Sequence, residues 1–422
     1  MHPATFRLFC LGLVCTSFLY SENWPTWRGP FGTGLSPEKQ FPIKWSTKKN
    51  IRWRIPLVER GNSSPVIWGD KVFVTQSIEK TKSRQLICFN RVDGKTLWTR
   101  SVKHAEMELT HRTNPLCSAS PVTDGERVIV SHASAGMFCY DMDGKELWRR
   151  NLGEQRHIWG NGASPLIYKG LCILNFGPGK RTFLLAVDKS NGTTVWQHDE
   201  LGGHSGEKKE GEGNIWVGSW ATPIIVNGRG KGELLMSYPN RIVAFDPSNG
   251  KEVWNCKGLN PLVYTSPIYE NGIVVAIGGF RGTAMAVRTG GKGDVTDTHQ
   301  LWTRPKEKQR IGSGVLVNGY IYILNEDGVA QCIEAKQGKV VWEERLRGPG
   351  GNGKSWSSMV VAGDKLYAIN QSGDAFILRA APRYQLLAVN SLGEMTQSSM
   401  AFSEGEIFVR TYNALWCITK ND

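Results

Sequence analysis

Short runs in which apolar and polar residues alternate recur along most of the chain. The clear cases are VFVTQS from Val72, VIVSHA from Val128, IVVAIG from Ile273, IYILNE from Ile321, LYAINQ from Leu366 and IFVRTY from Ile407. A period of two sets one face of each run on a core and predicts β-strands rather than helices. Ahead of these runs lies a tight turn (WGDK, DGER, ENG, VNG, AGDK or SEGE), and ahead of that a start of small and polar residues. The starts read SSPVIW at Ser63, ASPVTD at Ala119, ASPLIY at Ala163, ATPIIV at Ala221 and TSPIYE at Thr265. Three later ones lack proline: GSGVLV at Gly312, SSMVVA at Ser357 and SSMAFS at Ser398.

A third run follows and keeps one small residue in a fixed place. It is Cys88, Cys139, Cys332 and Cys417 in ICFN, FCYD, QCIE and WCIT, and Ala186, Ala244 and Ala286 in LAVD, VAFD and MAVR. Cysteine alternating with alanine marks a tight buried position, so these are packing residues. A turn rich in Asp, Asn and Gly then leads to a fourth strand holding tryptophan, as in FDPSNGKEVW, VDKSNGTTVW, YDMDGKELW, FNRVDGKTLW and IEAKQGKVVW. Ten residues separate Cys88 from Trp98, Ala186 from Trp196, Ala244 from Trp254 and Cys332 from Trp342, and nine separate Cys139 from Trp148. The insertion GGKGDVTDTH lengthens the step from Ala286 to Trp302, and in the seventh copy the register falls on Leu387.

Eight copies of a four-stranded antiparallel unit predict an all-β fold, a single eight-bladed β-propeller. The eighth copy ends at Ile418 after three strands. Its fourth is expected from the other end of the chain, where IRWRIPL (51–57) matches VVWEERL around Trp342. Pairing the two ends closes the ring and removes exposed strand edges. The expected division is a signal peptide over 1–21, an N-terminal extension over 22–50, the propeller over 51–418 and a tail over 419–422. Trp53, Trp98, Trp148, Trp196, Trp254, Trp302 and Trp342 are then structural anchors. Burying one removes roughly 150–250 Å² from water, about 4–6 kcal/mol as an upper bound. The Asn-Gly or Asp-Gly before them supplies positive φ at the hairpin, and Asp141, Asp188 and Asp246 are expected to bond turn amides. A catalytic group needs one copy, whereas this device is repeated around the ring.

Composition adds a compartment. Arg7 precedes an apolar run from Leu8 to Tyr20, too short to span a bilayer of ~30 Å, with small residues at Ser17 and Ser21 for cleavage. This predicts export to the periplasm or the extracellular space, with no transmembrane segment in the mature chain. Cys15 follows Leu13 and Val14 and makes a poor lipoprotein site. Net charge is +13, spread along the chain, with Lys208, Lys209 and Lys231 in Gly-rich loops. Without a nucleic-acid motif that charge reads as a solvated surface, and no nucleic-acid partner is expected. Nine cysteines become seven once Cys10 and Cys15 are removed, an odd number that argues against a full disulfide framework.

The copies, of the form Ala-x-Asp-x-x-x-Gly-x-x-x-Trp, resemble the tryptophan-docking motif of quinoprotein (PQQ-like) propellers, over residues 45 to 418. That family includes the pyrroloquinoline quinone (PQQ)-dependent alcohol dehydrogenases. It also includes non-catalytic relatives, such as a propeller lipoprotein that assists outer-membrane barrel assembly. The start WPTWRGPFGTGLS (24–36) is similar to the N-terminal segment of PQQ-like propellers. The resemblance implies, for catalytic members, a quinone held between a tryptophan floor and a disulfide of adjacent cysteines, Ca²⁺ bound by carboxylate and amide oxygens, and an Asp base. This chain has no adjacent cysteines, no CxxCH for haem, and no Glu, Asn and Asp set that can be placed on that site. It therefore sits nearer the non-catalytic members. No cofactor is expected, and PQQ with Ca²⁺ enters only under an oxidoreductase alternative.

Antiparallel topology decides which loops share a face. Fourth-to-next-first and second-to-third connections lie on one side, and the other two classes on the opposite side. The long connections 101–120 and 201–220 fall on the first face, the second of them Gly-rich and charged as in a lid or docking loop. Residues just before each first strand should rim the central channel: Arg60, Asn62, His111, Arg112, Asn114, His157, Trp159, Asn161, Trp216, Trp220, Tyr264, Arg310 and Trp356. Tryptophan beside Arg and Asn could hold an aromatic or anionic ligand. The same residues could instead cap blade cores and bond loop backbone. The turns NFGPGKR and GGFRG add Arg181 and Arg281 to that face, yet neither fits a P-loop. No metal spacing, GxSxG or HExxH occurs. The expected function is a non-catalytic binding or scaffold protein, monomeric, holding a protein partner or small ligand on its loop-rich face. The alternatives are a quinoprotein oxidoreductase with an altered pocket, and a glycan- or polyanion-binding module.

Overall fold

A computed structural model describes residues 23–104, 108–201, 203–207, 216–228, 231–280, 282–306, 308 and 310–420. The expected signal peptide, Lys208, Lys209, Arg281 and the middle of the 201–220 connection lie outside the described residues, as does the side chain of Lys231. Eight antiparallel sheets follow one another around a ring, as the eight sequence copies require. Blade 1 runs Val66–Trp68, Lys71–Ile78, Ser83–Asn90 and Thr96–Lys103, ordered from the channel outward. Blades 2 to 7 begin at Val122, Leu166, Ile224, Ile268, Val315 and Val360. Blade 8 takes Ala401–Ser403, Glu406–Arg410 and Ala414–Ile418 from the end of the chain and Ile51–Pro56 from its start. In that closing pair Trp53 stands opposite Cys417, the register that sets Trp98 opposite Cys88 and Trp254 opposite Ala244. The repeated Cys/Ala residues are all fully buried.

The tryptophans join each blade to the next. Indole N–H groups donate to a backbone carbonyl in the third-to-fourth turn of the following blade. The bonds are Trp53 to Arg91 (2.8 Å), Trp98 to Met142 (3.1 Å), Trp148 to Lys189 (3.0 Å), Trp196 to Pro247 (3.0 Å), Trp302 to Ala335 (2.7 Å) and Trp342 to Ala381 (3.1 Å). The glycine of the motif serves this contact as well as its own turn. Gly192 has φ +76°, and a Cβ there would stand 2.7 Å from the Trp148 ring of the preceding blade. The aspartates hold the turn, Asp188 and Asp246 accepting from the N–H groups of Ser190 (2.7 Å) and Ser248 (2.8 Å).

Two copies depart from the rule. Trp254 donates instead to Glu233 within its own blade, at 3.4 Å. The insertion in blade 5 replaces the usual turn, and its Gly293–Asp294 adds a parallel fifth strand beside Trp254. In blade 7 the residue opposite Ile377 is Ala388 rather than Leu387. The hairpin there is one residue longer, so Leu387 takes the bulge that Leu97 occupies in blade 1.

Residues 23–45 pack against the ring rather than trailing from it. Trp24 exchanges backbone bonds with Ile67 of blade 1 (3.0 and 2.9 Å), and Pro25 accepts from Thr123 of blade 2 (3.0 Å). Arg28 Nη2 donates to Gly314 of blade 6 (2.6 Å), and Leu35–Ser36 runs parallel to the first strand of blade 7. The Glu38 carboxylate accepts from the N–H groups of Glu404 and Gly405 in blade 8. This path spans the channel on the side of the first-to-second turns. No helix among the described residues is long and apolar enough to cross a membrane.

Candidate functional site

The small-polar starts meet at the channel. In each copy the second residue of the start is Ser or Thr, and its hydroxyl accepts the N–H of the same position in the preceding blade. The chain of bonds runs Ser64 to Ser120 (2.8 Å), Ser120 to Ser164 (3.0 Å), Ser164 to Thr222 (2.9 Å) and Thr222 to Ser266 (2.9 Å). It continues Ser266 to Ser313 (3.0 Å), Ser313 to Ser358 (2.9 Å), Ser358 to Ser399 (2.9 Å) and back from Ser399 to Ser64 (2.9 Å). The result is a closed girdle of eight bonds that satisfies eight inward backbone donors. None of these hydroxyls donates to a protein acceptor among the described residues.

Above the girdle opens a cavity of about 410 Å³. Aromatic walls come from the loop-rich face: Trp159, Trp216, Trp220, Tyr264, Phe280 and Trp356, while Trp27 of the N-terminal segment reaches in from the opposite side. Trp216 and Phe280 are 43% and 47% exposed, so the mouth opens on the face of the fourth-to-first and second-to-third loops. The rings meet edge to face, Trp159 with Trp216 at 6.3 Å and 81°, and Trp220 with Tyr264 at 5.2 Å and 72°. Polar lining comes from Asn62, His111, Thr113, Asn114, Ser118, Gln397 and the girdle hydroxyls except Ser313. No Asp, Glu, Lys or Arg is among the described lining residues.

Of the residues expected on the rim, the structure brings Asn62, His111, Asn114, Trp159, Trp216, Trp220 and Trp356 together around this cavity, with Tyr264 beside them. Several of their polar atoms serve the loops. Asn114 Nδ2 donates to the carbonyls of Trp159 (2.7 Å) and Asn161 (2.9 Å), so Asn161 enters through its backbone. Asn62 Nδ2 donates to Thr113 O (3.1 Å), and Trp220 Nε1 to Gly160 O (2.8 Å). Asn62 Oδ1 and the indole nitrogens of Trp159 and Trp356 have no partner among the described residues. Arg60 and Arg112 are exposed outside the lining. Arg310 is fully buried instead of standing at the rim, because its guanidinium turns into blade 6 and donates to Gln331. Arg181 likewise turns away, onto Leu152 O at 2.9 Å.

The connection 101–120 is anchored by a buried ion pair, Arg84 Nη2 to Glu108 at 2.6 Å, and Glu108 also accepts from Ser134 N–H at 3.1 Å. Behind the rim His157 packs edge-on against Trp220 (4.9 Å, 86°), and its Nδ1 accepts Trp159 N–H at 3.1 Å. Burial, with His204 adding charge, pushes its pKa down to about 4. Below, Arg28 is fully buried beside Trp27 (5.6 Å to the ring), and burial lowers its pKa to about 9. Position before a first strand does not point to Trp27, Phe280, Thr113, Ser118, Gln397 or the girdle, all of which line the cavity. The repeated Ser/Thr was visible in every start, but its partner lies in another copy.

The donor set can be set against the quinone and Ca²⁺ that the resemblance raises. No carboxylate lines the cavity among the described residues, and no group of three or more His, Cys, Asp and Glu there could hold a metal ion. The seven described cysteines are separate, buried thiols. The residues present do not fit that cofactor.

A sequence family described as "Outer membrane protein assembly factor BamB" matches residues 43–158, 86–342 and 180–422. Outer membrane protein assembly factor BamB of Salmonella typhimurium is 22% identical over 336 residues, 76% of each chain. Among solved structures, BamB from Moraxella catarrhalis has a TM-score of 0.63 at 13% identity, covering 88% of this chain and 98% of that one. A europium-containing methanol dehydrogenase has a TM-score of 0.67 at 13% identity, covering 93% of this chain and 90% of that one. The fold is thus shared by an assembly factor and an oxidoreductase, and fold alone does not choose between them.

Proposed function

Since the chain belongs to the BamB family of PQQ-like propellers, we propose that it is an exported, non-catalytic scaffold that holds a protein partner on its loop-rich face. The observation that carries this reading is where large apolar side chains stand uncovered. Val58 and Leu201, 80% and 91% exposed, and Met395 stand on fourth-to-first connections of the loop-rich face, and Trp216 and Phe280 at the mouth of its cavity. Single exposed apolar residues are ordinary, whereas several on one face, with the two most exposed of the described large apolar residues among them, mark an interaction surface. The relatives named as assembly factors support a protein as the partner, and the mismatch of the cavity with quinone and Ca²⁺ supports a role without redox chemistry.

The test is a photo-reactive amino acid placed singly at Val58, Leu201 or Met395 in cells that make the full chain. The expected result is the same adduct with a periplasmic or outer-membrane protein from these positions. Val92, exposed in a turn on the opposite face, should give none. Equal adducts from both faces, or none from the loop-rich one, would reject the proposal.

A further inference from the structure

We propose that the channel cavity is a binding site for a neutral sugar ring, the terminus or a branch of a glycan. The site adjoins the partner surface and shares Trp216 and Phe280 with it at the mouth, while the rest of its lining lies in the interior of the channel, away from Val58, Leu201 and Met395. Its chemistry has three parts. The walls are aromatic, and the apolar face of a pyranose stacks on a single indole or phenyl face. The waist carries hydroxyl groups whose oxygens accept from backbone N–H and whose protons are not given to any described protein acceptor, so they can donate inward. Asn62 Oδ1 and the indole N–H of Trp159 and Trp356, all in lining residues, lack partners among the described residues. A buried polar atom left unpaired is costly, and a polyhydroxylated ligand or water can supply both donors and acceptors.

The same observations weigh against an anionic ligand. An anion would draw on cationic side chains, and none is in the described lining, since Arg60 and Arg112 stand outside it and Arg310 is turned into blade 6. The volume, about 410 Å³, falls in the range of small-molecule sites.

The experiment is calorimetric and tryptophan-fluorescence titration of the mature chain with cellohexaose, xylohexaose, maltohexaose and chitohexaose (fully N-acetylated). Heparin and the peptide Trp-Ala-Trp serve as comparators. The expected result is saturable binding of at least one neutral oligosaccharide, changing less than about twofold between roughly 50 and 500 mM salt, because no charge is engaged. Trp216→Ala and Phe280→Ala, both at exposed lining positions, should each weaken it about tenfold with the melting temperature unchanged. Binding that both variants retain at full strength would place the sugar elsewhere and overturn the proposal. So would binding of heparin alone that salt abolishes, of the peptide alone, or of nothing by a chain whose melt shows it folded.

Discussion

His157 shows how one side chain ties the rim to the stability of the whole. Its ring is 1% exposed, packed on Trp220, and its Nδ1 must stay unprotonated to accept the Trp159 N–H. Burial holds its folded-state pKa at about 4, below the ordinary value near 6.5 of an unfolded histidine. Between those two values the unfolded chain binds the proton and the folded chain does not, so acid favours unfolding. The stabilisation is fully present above about pH 6.5 and drains away as pH falls towards 4, with roughly 3 kcal/mol at stake. His132, pushed down to about 3 by burial beside Arg84, acts in the same direction and over a wider window. Urea denaturation at pH 7, 6 and 5 should show falling stability, and His157→Asn should flatten that slope. An unchanged slope would mean that His157 is solvated and the rim more open than described.

At the scale of the element, the girdle and the tryptophan docks divide the work between the inner and outer strands. Each girdle hydroxyl satisfies a buried N–H that the next blade has no strand to pair. Ser164→Ala should leave the Ser120 N–H without its acceptor and cost about 1–3 kcal/mol. Ser164→Thr should be near neutral, since Thr222 holds the equivalent place. Equal melting temperatures for the alanine and threonine variants would count against the girdle.

This is also the scale at which sequence was most and least informative. The Trp-to-Cys/Ala register was legible because both residues lie on adjacent strands of one hairpin, at a fixed distance along the chain. Its one slip, Leu387 for Ala388, came from a hairpin one residue longer than its siblings. The repeated Ser/Thr was equally visible, yet its purpose needed the neighbouring blade, which no spacing within a copy reveals. Among rim residues, Trp159, Trp216, Trp220 and Trp356 all precede a first strand and all line the cavity. That position does not reveal that Arg310 turns into blade 6 or that Asn114 is spent on loop carbonyls, because side-chain direction depends on neighbours distant in sequence. Nothing in the stretch around Trp27 says that residues 23–36 cross the ring and bring it to the cavity.

For the whole molecule, closure comes from both ends of the chain at once. The strand Ile51–Pro56 completes blade 8, Glu38 caps two of its turn amides, and Arg410 of the same blade is fully buried while reaching Ser63 (2.7 Å) and Gln76 (3.1 Å) of blade 1. The ring so closed presents, among the described residues, a cavity walled by aromatics without charged side chains at one face, and a chain segment across the other. That geometry favours holding a partner or a sugar over moving electrons, although the same fold serves an oxidoreductase elsewhere. The measurement that tests this most directly is calorimetric titration of the mature chain with PQQ, with and without Ca²⁺, alongside a thermal melt, because any ligand of the native state must raise the melt once it exceeds its dissociation constant. No saturable heat and no shift are expected under either condition. Saturable, Ca²⁺-dependent binding with a raised melting temperature would contradict this expectation and return the chain to the quinoprotein enzymes.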